Sequence, residues 1–143
     1  MSVNIHPTAI VSDGASLGTD VTIGPYCTVG THVTIGDRVT LHSHVVIDGH
    51  TSLGAGGEVF PFAVLGCPPQ HTRYAGEEST LEIGTDCVIR EHVTMHPGTA
   101  IDSMRTRVGN NGLFLVASHI AHDCVIGDHA IFANNASLGG HAK

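Results

Sequence analysis

The sequence predicts an all-β fold: a parallel β-helix of hexapeptide repeats, about seven coils in all, with residues 1–143 forming a single domain. Three observations carry that expectation. Stepping by six from Ile5 meets Val11, Leu17, Ile23, Val29, Ile35, Leu41, Ile47, Leu53, Val59 and Leu65, every one a branched aliphatic. Four places after each of the first ten stands a small or β-branched residue, from Ala9 and Ala15 through Val21 and Cys27 to Ala63. Between the two slots fall turn formers such as Pro7, Asp13, Pro25, Asp37, Gly49 and Pro61.

A helix cannot use this period. At about 100° per residue, six residues turn roughly 240°, so the aliphatics would wander around the axis. A short strand, a corner and another short strand place both slots inward. Three such sides close a triangular coil of eighteen residues, and stacked coils bury a thin aliphatic core.

After a lead-in at Met1 to Asn4, residues 5–66 run without an inserted residue, which leaves no room for a helix or a long loop. Residues 67–80 then carry Pro68, Pro69 and a polar run from Gln70 to Glu78. They predict a loop thrown out of a rigid scaffold, the usual place for binding groups. The period resumes at Ile83, with Ile89, Met95 and Ile101 expected in the large inward slot. A second interruption is expected at 102–107, where the phase shifts by one residue. From Val108 the repeat continues through Phe114, Ile120, Ile126, Phe132 and Leu138 to Lys143. Ending on an open coil, with no cap, predicts the first part of a longer protein.

Composition agrees with a narrow core. Four Phe, two Tyr and no Trp suit a triangular core too narrow for large rings, while the eighteen Gly suit a chain made largely of corners. A net charge of −7 argues against nucleic acid as a partner. Cys27, Cys87 and Cys124 fall in small inward slots and read as buried hydrophobes; with Cys67 they make no CxxC motif. No segment approaches the roughly eighteen apolar residues of a membrane span and no leader pattern opens the chain, so a cytoplasmic location is expected.

Twelve His are the main hint of chemistry. The densest reactive stretch is Ser118-His119-Ile120-Ala121-His122-Asp123-Cys124. Its Ala121, His122 and Asp123 are expected at a corner where side chains reach solvent or a neighbouring subunit. A His beside a carboxylate is the pairing a general base needs, because the carboxylate can fix the tautomer and steady the imidazolium. Polar decoration of a corner is the other reading of the same residues. His32, His42, His44, His50, His92 and His129 fall in outward slots and read as solvated decoration.

The run Ile89 to Thr99, the motif His119-Ile120-Ala121-His122-Asp123-Cys124, and Ala133-Asn134-Asn135-Ala136 with Gly140-His141 resemble the UDP-N-acetylglucosamine O-acyltransferases, which begin lipid A synthesis. His6 to Ile10 and the loop Gln70 to Glu77 resemble them too. The resemblance implies a left-handed β-helix assembled as a homotrimer, with sites between subunits. It implies transfer of an (R)-3-hydroxyacyl group from acyl carrier protein to the 3-hydroxyl of UDP-N-acetylglucosamine, without metal, cofactor or covalent intermediate. On that resemblance His122 is the base, Asp123 its partner, and the Gly140 N–H an oxyanion donor. His119 and His141 match histidines that line the site, and Gln70 matches a substrate contact in the loop. His71 and Arg73 are further substrate-binding candidates there, and His96 is a candidate for a positive lining between subunits. His71 and Arg73 depart from the family, which often has Asp and Lys there. Arg73 keeps the charge, whereas His71 loses a carboxylate acceptor. The resemblance also implies later coils and a C-terminal helical domain.

Two other readings stay open. His119 and His122 could seed a three-His zinc site like that of the trimeric γ-type carbonic anhydrases. Alternatively, the chain is an inactive β-helix scaffold.

Overall fold

The computed structural model describes residues 2–143. Twenty short strands, all paired in parallel, form three sheets, and there is no helix among the described residues. The first sheet runs over seven strands from Asn4–Ile5 to Ile131–Phe132. The second has seven, from Ile10–Val11 to Ser137–Leu138, and the third has six, from Ser16–Leu17 to Val125–Ile126. Successive strands of the chain therefore visit the three sheets in turn, as the eighteen-residue coil requires.

Register follows from the repeat. Ile23 pairs with Leu41 and Leu41 with Val59, so aliphatic lies on aliphatic down each face. Backbone N–H groups one place past each aliphatic donate to the next coil, as His6 does to Ile23 (2.9 Å) and Gly24 to Leu41 (2.9 Å). Both inward slots are buried through the middle of the stack, with Ile23, Ile35, Leu41, Ile47, Leu65, Ile89 and Met95 almost fully enclosed. Each such side chain contributes about 1.5–3 kcal/mol by leaving water. Cys27, Cys87 and Cys124 are buried free thiols, as their slots predict.

Corners are tight, and their cost is visible. The third residue after the aliphatic sits in the left-handed region at position after position, including Asp20 (φ 57°), Arg38 (φ 60°), His44 (φ 58°) and Asp123 (φ 61°). An L side chain loses of order 1 kcal/mol there. The N–H of that residue offsets the loss by donating back one coil, as Arg38 does to Thr19 (2.8 Å) and His141 to His122 (3.0 Å).

Three sequence expectations need correction. The second excursion is not 102–107: residues 96–104 leave the sheet, and Arg105–Val108 is already a four-residue strand. Ile101 lies in that excursion and is 45% exposed, so it is not a core residue. Its period is coincidental, because the coil had already opened at His96. Large rings are also not excluded from the core. Phe114 is fully buried, because Gly112 on the same coil leaves the space that a Cβ, 2.5 Å from the ring, would fill.

The outward histidines are where the repeat puts them, but they are not isolated. Tyr26, His44, Phe62 and His92 form a column of rings 5.1–5.3 Å apart up one edge, and His32 stacks on His50 at 4.3 Å.

Candidate active site

Both excursions leave the helix at the same corner. The first excursion is 67–79 rather than the expected 67–80, because Thr80 already opens the third-sheet strand Thr80–Ile83; it follows the second-sheet strand Val64–Leu65. The 96–104 segment lies between Thr94–Met95 and Arg105–Val108, one coil further on. Leu65 pairs with Met95 and Met95 with Ile120, so the stack closes around both insertions without slipping. On the next coil this corner, between His119–Ile120 and Val125–Ile126, holds His122 and Asp123. The two loops are therefore draped over the residues that the sequence singles out.

That covering changes the expectation for residues 121–123. They do not reach solvent within the chain: Ala121, His122 and Asp123 are all buried, Asp123 completely. The left-handed backbone at Asp123 turns its carboxylate in beneath the second excursion. There it accepts from the Thr99 N–H (2.9 Å), the Thr99 hydroxyl (2.5 Å) and His122 Nδ1 (2.9 Å). The Asp123 N–H donates to Thr106 Oγ1 at 2.9 Å. Burial alone would raise this carboxyl, but the Thr99 and His122 hydrogen bonds outweigh it and hold it below the usual carboxylate range.

Because the ionised carboxylate only accepts, the neutral form of His122 carries its proton on Nδ1 and leaves Nε2 with a free lone pair. Gly140 stacks beneath His122 at the same place in the following coil. A Cβ on residue 140 would stand 2.4 Å from His122 Cε1, so only Gly leaves room for this ring position. The N–H at this corner position takes no part in the ladder, which is why Pro7, Pro25 and Pro61 can occupy its equivalents.

Imidazoles gather around His122. His71 and His141 each lie 4.9 Å from it, nearly perpendicular. His71 Nδ1 accepts from the Arg73 N–H at 3.0 Å, and His141 Nδ1 lies 2.6 Å from Asp102 Oδ2. Further in, His96 meets His119 edge to face at 4.9 Å, and His119 Nδ1 bonds Thr94 Oγ1 at 2.6 Å. His96 is 7% exposed and its Nδ1 has no partner. Burial first, then His119 and His122, push its pKa down to about 4. Burial also lowers His119, with Thr94 opposing and His122 adding to the shift. Glu77 ties the loops together, its carboxylate accepting from Ala75 and Ala100 N–H groups at 2.8 Å each.

The structure thus brings together His71, His96, His119, His122, Asp123, Gly140 and His141, while Gln70 and Arg73 are exposed on the first loop. Thr99, Thr106, Asp102 and Glu77 were missed by the sequence reading. Only Thr99 carried a signal, as a polar residue in a small inward slot.

Residues 14–49 match the family described as bacterial transferase hexapeptide (six repeats). The chain is 58% identical over 124 residues to an acyl-[acyl-carrier-protein]--UDP-N-acetylglucosamine O-acyltransferase of Azorhizobium caulinodans, covering 87% of this chain and 46% of the relative. A protein of the same name from Verminephrobacter eiseniae is 56% identical over 140 residues, covering 98% and 53%. Among solved structures, LpxA from Acinetobacter baumannii superposes with a TM-score of 0.95 at 50% identity, over 96% of this chain and 53% of that one. The Bacteroides fragilis UDP-N-acetylglucosamine acyltransferase gives 0.93 at 40%, with the same coverage. The chain spans about half the length of the curated relatives it matches. Over that span the fold is a left-handed parallel β-helix, and the chain is similar in sequence and structure to the UDP-N-acetylglucosamine O-acyltransferases.

Proposed function

We propose that the chain carries the catalytic corner of an acyltransferase that moves an (R)-3-hydroxyacyl group from acyl carrier protein to the 3-hydroxyl of UDP-N-acetylglucosamine, the step that opens lipid A synthesis. The observation that carries this reading is the buried His122–Asp123 pair with its Nε2 left free above Gly140. A sugar hydroxyl is a poor nucleophile at neutral pH. His122 Nε2 takes its proton as the oxygen attacks the thioester carbonyl, and Asp123 steadies the imidazolium. The Gly140 N–H donates to the oxyanion of the tetrahedral intermediate. Collapse breaks the carbon–sulfur bond, and the departing thiolate takes the proton back from His122. No group on the enzyme is acylated.

The other residues take substrate roles in this proposal. His119 and His141 line the sugar site. The unpartnered Nδ1 of buried His96 offers a hydrogen bond to a ligand group. Gln70, His71 and Arg73 approach from the first loop, with Arg73 as the cation for a phosphate. The working unit is a homotrimer with the site between subunits, in the cytoplasm. The names of the relatives favour acyl transfer over a γ-carbonic anhydrase activity. Among the described residues no helix is long and apolar enough to cross a membrane.

Acyl transfer from hydroxyacyl carrier protein to UDP-N-acetylglucosamine tests the proposal directly. Turnover that depends on His122 supports it, and turnover indifferent to His122 overturns it. Light scattering tests the trimer.

A further inference from the structure

His122 and His141 meet edge to face at one corner, their ring centroids 4.9 Å apart. Each has its Nδ1 on a carboxylate, Asp123 Oδ2 at 2.9 Å and Asp102 Oδ2 at 2.6 Å. A carboxylate accepts only, so in the neutral form of each ring Nδ1 carries the hydrogen and Nε2 keeps a lone pair. The rings are 4.9 Å apart at 83°, and ligating atoms of His122, Asp123 and His141 lie within 4.8 Å of one another. Gly140 places no side chain over His122 Nε2, where a Cβ would stand at 2.5 Å. His71 differs: its Nδ1 accepts an N–H, so its Nε2 bears hydrogen and is no ligand in this tautomer.

An imidazole that binds through one nitrogen, with a carboxylate orienting the other, is the arrangement that holds divalent transition ions. Two such imidazoles share this corner. We propose that a zinc-class ion binds across His122 Nε2 and His141 Nε2 and blocks acyl transfer. The ion would take both nitrogens at about 2.0–2.1 Å and complete a tetrahedron with water. Half-exposed His141, at the rim, supplies the movement needed to close that distance. The ion is an inhibitor rather than a cofactor, because it occupies the lone pair that removes the hydroxyl proton. The blocking half of the proposal rests on the role of His122 given above, whereas the binding half does not. Imidazole pairs select zinc, copper or nickel and not magnesium or calcium.

The test titrates Zn²⁺ into the intact protein against a chromophoric chelator, with Mg²⁺ as a parallel arm, and follows turnover in the same samples. One Zn²⁺ per chain is expected, no Mg²⁺, and turnover that falls with occupancy and returns with EDTA. His122→Ala and His141→Ala should each abolish binding. Asp102→Asn, which keeps every ligand and covers the case where an alanine variant does not fold, should weaken it about 10–100-fold. His32→Ala and His50→Ala, in the stacked pair outside the corner, should change nothing. Undiminished binding in both ligand variants, or no binding at all, overturns the site. Binding with the expected variant pattern but unaltered turnover overturns the blocking, and with it the assignment of His122 as base, while the ion site stands.

Discussion

His122 Nδ1 lies 2.9 Å from the carboxylate of the very next residue, Asp123, although successive side chains on a strand diverge. The left-handed turn at Asp123 brings them together, and Thr99 pins the carboxylate from the loop above. Removing the base should cost about 10²–10⁴-fold in turnover. His122→Ala is therefore expected to lose at least 10²-fold while still binding the sugar nucleotide. Asp123→Ala should lose less, since the imidazole survives, and His119→Ala should mainly weaken binding. Acyl-transfer kinetics beside direct measurement of sugar-nucleotide binding decide this. A silent His122→Ala with a dead His119→Ala would mean that the other histidine is the base.

Gly140→Ala probes the corner from the opposite side. The added methyl would lie 2.4–2.5 Å from His122 Cε1 and Nε2, so the ring must shift. Turnover should fall while the melting temperature changes little, because the methyl points at the site and not into the core. Unaltered kcat would show that the ring position is not critical.

Buried His96 makes stability depend on pH. Its folded pKa of about 4 lies below the ordinary value of 6.5, so between those pH values the unfolded chain binds the extra proton. Stability contributed by neutral His96 is complete above 6.5 and falls as pH drops towards 4, by about 3 kcal/mol for a shift of this size. His96→Gln should flatten the urea midpoint across that window relative to the parent. Parallel curves would refute the assignment.

Ile35→Asp tests the repeat itself. Ile35 is 1% exposed among aliphatics, with no partner for a carboxylate. An isolated buried charge is too costly to keep, so the variant should not fold. A soluble protein that melts cooperatively would contradict the packing described above.

Most of the scaffold was legible in the sequence, since an inward slot every six residues fixes strand, corner and register together. Ile23, Leu41 and Val59 could be stacked on one another from their spacing alone. The His122–Asp123 pair was legible as chemistry but not as geometry, because its burial depends on loops that the repeat does not encode. For the same reason Asp102, in the segment misplaced by the coincidental period of Ile101, could not be matched with His141. Phe114 and Gly112 were placed correctly in a large and a small slot, but their spacing did not show that the missing Cβ of Gly112 makes room for a ring in so narrow a core.

The placement of both loops at one corner has a consequence for variation. A coil that is closed above and below an insertion tolerates length there at little cost, since doubling a flexible loop costs only about 0.6 kcal/mol. One residue added anywhere else would turn the aliphatics outward on every later side. Changes in loop length are thus channelled to the rim of the histidine cluster.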